Sequence, residues 1–245
     1  MKIEIWSDYV CPFCYIGKRR LEQAIGLFPH RGELEIVYRS FELDPNAKPY
    51  TSGTIYDSLA AKFGVSAGEA KAMTANIAEQ AKALGLDYRF DTMKPTGTFD
   101  AHRLAFFAAG SGKAEELTER LLKAYFTDSE HIGDRDTLVR LAAETGLNAE
   151  EARRFLESEE GGAEVRSDER EAGALGVRGV PFFVINRKYA ISGAQPTELF
   201  LDTLYKAWNE EHPLIFVDGA DGEGAGELCE DGSCVIPPRD SGRPS

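Results

Sequence analysis

Cysteine is scarce in this sequence, with four in 245 residues. That is too few for the dense disulfide framework of a small secreted scaffold. No stretch approaches about 18 consecutive apolar residues, which argues against a membrane-spanning helix. The opening Met1-Lys2-Ile3-Glu4-Ile5-Trp6 reaches polar Ser7-Asp8 at once. With no apolar run behind a basic start it does not read as a secretory signal, so the expected location is cytoplasmic. Basic charge is also short: 28 Lys and Arg stand against 41 Asp and Glu, a net −13. Such a field repels phosphate backbones, so neither nucleic acid nor a membrane is an expected partner. No segment repeats at a period of about 20–50 residues, which excludes a solenoid.

What is present is ordinary core-forming material. Apolar residues make up 42% and charged residues 28%. The length suits one large domain or a domain carrying an insertion. Residues 2–6 alternate in the manner of a strand, 12–28 repeat apolar residues at helical spacing behind Pro12, and 34–41 read as a second strand. From 44 to 175 the texture is helical. Ser66 with Glu69 forms a capping box, and Asp134 and Asn148 are N-cap candidates. Residues 180–185 and 189–191 flank Asn186-Arg187 as a hairpin, and Thr197 is the expected cap of a last helix. The implied class is α/β. Residues 1–43 and 176–212 form the sheet-bearing part, 44–175 an all-helical insertion, and 213–245 an acidic, Gly-rich tail without periodicity, expected to be mobile.

The cysteines come in two close pairs, Cys11-Pro12-Phe13-Cys14 and Cys229 with Cys234. Where thiols are kept reduced, such pairs read as catalytic or metal-binding. Cys11 follows a strand and opens a helix, where free N–H groups and the helix dipole stabilise negative charge and populate the nucleophilic thiolate. Cys14, one turn on and expected to be more buried, can resolve a mixed disulfide formed at Cys11. Half of a zinc site is the alternative, disfavoured by the strand–Cys-Pro-x-Cys–helix context. Phe13 cannot donate a hydrogen bond to a thiolate, which predicts a less oxidising couple than a donor at that position would give. Val180-Pro181 fits either a cis turn facing the dithiol, with Val180 backbone groups free to pair with substrate, or an ordinary edge-strand proline. Asp8 either relays protons to Cys14 or bonds to the local turn. His102 reads as a packed, satisfied histidine, while His30, His131 and His212 have no metal-ligand spacing. Apolar surface is expected near the dithiol for substrate binding. Cys229 and Cys234 are either surface thiols, an auxiliary redox pair or, less favoured, a metal site, among acidic neighbours that would slow attack.

Three blocks carry a resemblance: Trp6-Ser7-Asp8-Tyr9-Val10-Cys11-Pro12-Phe13-Cys14-Tyr15, Phe99-Asp100-Ala101-His102-Arg103-Leu104, and Gly179-Val180-Pro181-Phe182-Phe183-Val184 continuing to Ser192-Gly193-Ala194-Gln195-Pro196. Together they resemble the DsbA-like thioredoxin family, FrnE-like branch, from residue 1 to about 210. The resemblance implies a thioredoxin-like fold interrupted by helices, with Cys11 as nucleophile, Cys14 as resolving thiol and Pro181 in cis. It implies disulfide reductase, isomerase or oxidase activity without an organic cofactor or metal. Substrates would be protein or small-molecule disulfides and dithiols, with glutathione or a thioredoxin-type protein as electron donor. The same superfamily holds glutathione-dependent 2-hydroxychromene-2-carboxylate isomerases and kappa-class transferases, which carry serine where this chain has Cys11. A chaperone-like binding module is the non-enzymatic alternative. No motif distinguishes monomer from homodimer.

Overall fold

The computed structural model describes residues 1–49 and 53–213. Met1–Asn209 forms one compact unit. Beyond Asn209 only residues 210–213 are described.

The chain begins with strand β1 (Lys2–Ser7), helix α1 (Pro12–Leu27) and strand β2 (Glu35–Ser40). Seven helices follow: α2 (Ile55–Phe63), α3 (Ala67–Lys82), α4 (Phe99–Gly110), α5 (Ala114–Phe126), α6 (Arg135–Glu144), α7 (Ala149–Glu157) and α8 (Gly162–Ala174). Strands β3 (Phe182–Ile185) and β4 (Tyr189–Ser192) and helix α9 (Thr197–Glu211) complete the order. The sheet runs β2-β1-β3-β4. The β1–β2 pair is parallel, as a strand–helix–strand unit requires, and β3 pairs antiparallel with both β1 and β4. Among the described residues no helix is long and apolar enough to cross a membrane.

Local signals explain the element ends. Ser66 and Glu69 form the reciprocal capping box of α3, and Thr54 with Asp57 forms a second one at α2 that the sequence reading missed. Asp134 and Asn148 cap α6 and α7 through their side chains. Thr197 differs from expectation. It is the first residue of α9, not its cap, and its hydroxyl donates to Gln23 Oε1 at 2.9 Å. Asn186 and Arg187 both take left-handed backbone conformations in the β3–β4 turn.

Both faces of the sheet are covered. Ile3, Ile5, Phe183 and Ile185 pack with Leu21, Ala24 and Phe28 of α1 and Phe200 and Leu204 of α9. On the opposite face Trp6 and Val184 pack with Ala172 of α8. Full burial of side chains of this size contributes about 1.5–3 kcal/mol each. The other flank of α1, at Tyr15 and Ile16, joins the core of the helical block, with Leu104, Leu121 and Tyr125. Helix α1 is therefore held from two sides.

Covering both faces leaves Glu4 of β1 buried, although alternation alone would place it towards water. Its carboxylate is paired with Arg39, at 2.6 Å, and with Arg187. Burial raises its pKa, but the two guanidinium groups outweigh that and hold it below the usual carboxylate range.

Candidate active site

Pro12 occupies the first turn of α1 and Cys11 is its N-cap. A proline is suited there because its missing N–H has no helical acceptor to lose. The Cys11 amide donates to the Asp8 carbonyl at 3.2 Å, and the Cys14 amide donates to the Cys11 carbonyl at 3.0 Å. No acidic residue lies in the first turn of α1. The partial positive charge of the helix start is thus left uncompensated beside the two sulfurs.

Both cysteines are free thiols and both are buried, Cys11 at 4% and Cys14 at 2% exposure. The expected contrast between them is therefore small in accessible area. Cys11 Sγ donates to the Val180 carbonyl at 3.5 Å, and the Asp8 amide donates to Cys14 Sγ at 3.5 Å. Burial pushes the Cys14 thiol well above its ordinary value, and the adjacent Cys11 pushes it further. The Ser7 hydroxyl and the Asp8 amide act in the opposite direction. Phe13 is 38% exposed beside the dithiol.

The Val180–Pro181 peptide bond is cis. The edge-strand reading of Pro181 does not hold. Strand β3 starts one residue later and is flanked by β1 and β4. The Pro181 carbonyl accepts from the Gly193 amide at 2.8 Å, which ties this segment to the end of β4. The Val180 carbonyl, expected to be free, is engaged by the Cys11 thiol.

Asp8 corrects a second expectation. The local turn is closed by its backbone carbonyl, not by its side chain. The carboxylate, 1% exposed, accepts from the Leu43 amide at 2.8 Å and from His102 Nε2 at 3.3 Å. A carboxylate removed from water needs such partners wherever in the chain they come from. His102 is accordingly packed and satisfied, its ring 4.8 Å from that of Tyr9.

Sequence reasoning missed Tyr88. Its hydroxyl donates to the Pro12 carbonyl at 2.7 Å, which ties the segment after α3 to the dithiol turn. The only local signal was the alternation Leu86-Asp87-Tyr88-Arg89-Phe90. A second tie involves Glu119 of α5, which accepts from Tyr15 at 2.6 Å and Lys18 at 2.8 Å and pairs with Arg19. Burial raises the Glu119 pKa, but Arg19 and Lys18 together hold it down at about 2. Among the described residues no group of His, Cys, Asp and Glu is arranged for a metal ion. Cys229 and Cys234 lie outside the described residues.

The chain matches the DSBA-like thioredoxin domain family over residues 2–205. A solved structure titled a probable DsbA oxidoreductase, from Streptomyces coelicolor, is similar at 43% identity and a TM-score of 0.83, covering 97% of this chain and 99% of that one. The uncharacterized protein YwbO of Bacillus subtilis is 32% identical over 158 residues, 64% of this chain and 72% of that protein. The cytosolic disulfide reductase DsbM of Pseudomonas aeruginosa, solved with glutathione, shares the fold at 17% identity and a TM-score of 0.58, covering 84% of this chain and all of that one. With the family match spanning most of its length, the chain belongs to the DSBA-like thioredoxin family of disulfide oxidoreductases.

Proposed function

We propose that the protein exchanges disulfides through Cys11 and Cys14. The Cys11 thiolate attacks one sulfur of a substrate disulfide, forming an S–S bond to that half and expelling the other half as a thiolate. The Cys14 thiolate then attacks the Cys11 sulfur, releasing the second half and leaving a Cys11–Cys14 disulfide. Two electrons pass to the substrate, and the reverse sequence oxidises a dithiol. Pro12 presets the helix start, Phe13 offers apolar contact, and Val180 with Pro181 lines the approach. Asp8 relays the proton that Cys14 must lose.

The observation that carries this reading is the dithiol at an uncompensated helix start, with Cys11 Sγ 3.5 Å from the Val180 carbonyl. The redox partner is a small thiol or thioredoxin-type donor in a reducing, cytoplasmic setting. The fold shared with a cytosolic reductase solved with glutathione supports that choice. Cys229 and Cys234 act as an auxiliary pair that exchanges electrons with the first.

The test is insulin reduction by the full chain. Cys11→Ser abolishes turnover, and Cys14→Ser accumulates mixed disulfides visible by mass spectrometry. Full activity in Cys11→Ser refutes the reading. Replacing Cys229 and Cys234 by Ser slows re-reduction of the first pair without changing its attack on substrate. Unchanged re-reduction removes the auxiliary role.

A further inference from the structure

Gly17 lies on α1 one turn beyond Cys14. Its backbone is helical and not left-handed, so conformation does not demand glycine there. Space does. A Cβ at this position would stand 3.0 Å from Pro181 Cγ and 3.1 Å from Phe183 Cζ, with Ala194 Cβ at 3.5 Å. Neither of the first two neighbours can step aside cheaply. The Pro181 ring is stiff and its carbonyl is held by the Gly193 amide. Phe183 is fully buried and packs edge-on against Phe200, with ring centroids 4.7 Å apart. Gly26 offers the contrast. It belongs to the same helix, yet a Cβ there would meet nothing within 4 Å.

The missing side chain at 17 therefore permits the close approach of α1 to the segment that holds Val180 and Pro181. That approach is where Cys11 Sγ reaches the Val180 carbonyl at 3.5 Å. We propose that Gly17 is a positioning residue that sets the gap between the dithiol and the Val180–Pro181 segment. A single extended peptide disulfide can then meet the Cys11 sulfur and the Val180 backbone together. Interiors are close-packed, so a Cβ at 17 displaces that segment and is not absorbed in a void. The inference rests on the dithiol reading above.

The experiment compares Gly17→Ala with Gly26→Ala in the full chain. A displacement of a few tenths of an ångström at the reacting centre lowers kcat/KM for insulin by about tenfold in Gly17→Ala. Alkylation of Cys11 by iodoacetamide does not fall with it, since the helix start is unaltered and moving the Val180 carbonyl away only frees the thiol. Gly26→Ala changes neither quantity. In a Pro181→Ala background the Cγ is gone and only the Phe183 contact remains, so adding Gly17→Ala costs a smaller fold-loss than it does in the wild type. Wild-type turnover in Gly17→Ala, or the same fold-loss in both backgrounds, overturns the inference. If Gly17→Ala does not fold, the variant that also carries Pro181→Ala and Phe183→Leu decides: folding there supports the clash, and failure to fold where the Pro181→Ala/Phe183→Leu parent folds overturns it. Turnover that survives Cys11→Ser defeats the dithiol reading whichever way Gly17 behaves.

Discussion

Asp8 and His102 meet at 3.3 Å across 94 residues of chain, one next to the dithiol helix and the other on α4. Their contact joins the sheet-bearing part to the helical block directly behind Cys14, whose sulfur accepts from the Asp8 amide. Three consequences concern this contact, the Cys14 thiol and the Glu119 cluster. A fourth concerns Phe13.

Asp8→Asn retains an acceptor for the Leu43 amide but removes the charge and the proton site. The expected result is a slower second step, seen in a quenched time course as accumulation of the Cys11 mixed disulfide, with the first step unchanged. Asp8→Ala leaves the Leu43 amide and the His102 ring without their acceptor and destabilises the protein by about 1–3 kcal/mol in urea unfolding. Equal resolution rates in wild type and Asp8→Asn would remove Asp8 from the proton path.

The Cys14 thiol is raised in the fold, first by burial and then by Cys11. An unfolded thiol titrates near 8.5, roughly the free value. Above that pH the unfolded chain has lost this proton while the folded chain keeps it, so the folded state binds more protons. The contribution is complete below the unfolded value and is lost as pH rises towards the folded one. The urea midpoint of the reduced protein should fall between about pH 8 and 10. Cys14→Ser should flatten that decline; an identical slope in the variant would contradict the assignment.

Glu119 behaves in the opposite sense. Its folded value of about 2 lies below the unfolded carboxylate value of about 4.3. The stabilisation is present above the unfolded value and is lost as pH falls through the folded one. Its side chain is 32% exposed, so solvent screening reduces the contribution to about 1 kcal/mol. Glu119→Gln should be less stable than wild type at neutral pH, and the two should converge as pH approaches 2.

Phe13 carries no hydrogen-bond donor towards the thiols. Equilibration with glutathione should therefore show Phe13→His to be more oxidising than wild type, because an imidazolium N–H stabilises the Cys11 thiolate. A more reducing equilibrium in the variant would count against Phe13 as a determinant of the potential.

Much of this was legible from short-range pattern. Pro12 behind Cys11 marked a helix start, Ser66 with Glu69 and the residues Asp134 and Asn148 marked others, and the texture change after residue 44 marked the helical block. Each rests on interactions between residues three or four apart, which leave a period in the sequence. The same logic misjudged Thr197, and of the two alternatives for Asp8 the local turn bond fails, because the polar partner taken up in the fold was distant. The alternation of residues 2–6 likewise says nothing of the burial of Glu4, since the strand pattern carries no information about α8 covering that face.

The sequence by itself therefore determined the element order, the dithiol at a helix start and the family through three motif blocks. Only the tertiary structure decided what surrounds that dithiol: Val180 169 residues from Cys11, Tyr88 76 residues from Pro12, His102 against Asp8, and the space left by Gly17 under Pro181. The physical reason is range. Capping and helix initiation are satisfied within one turn, whereas burying a carboxylate, a thiol or a tyrosine hydroxyl requires whichever partner the packed core brings alongside.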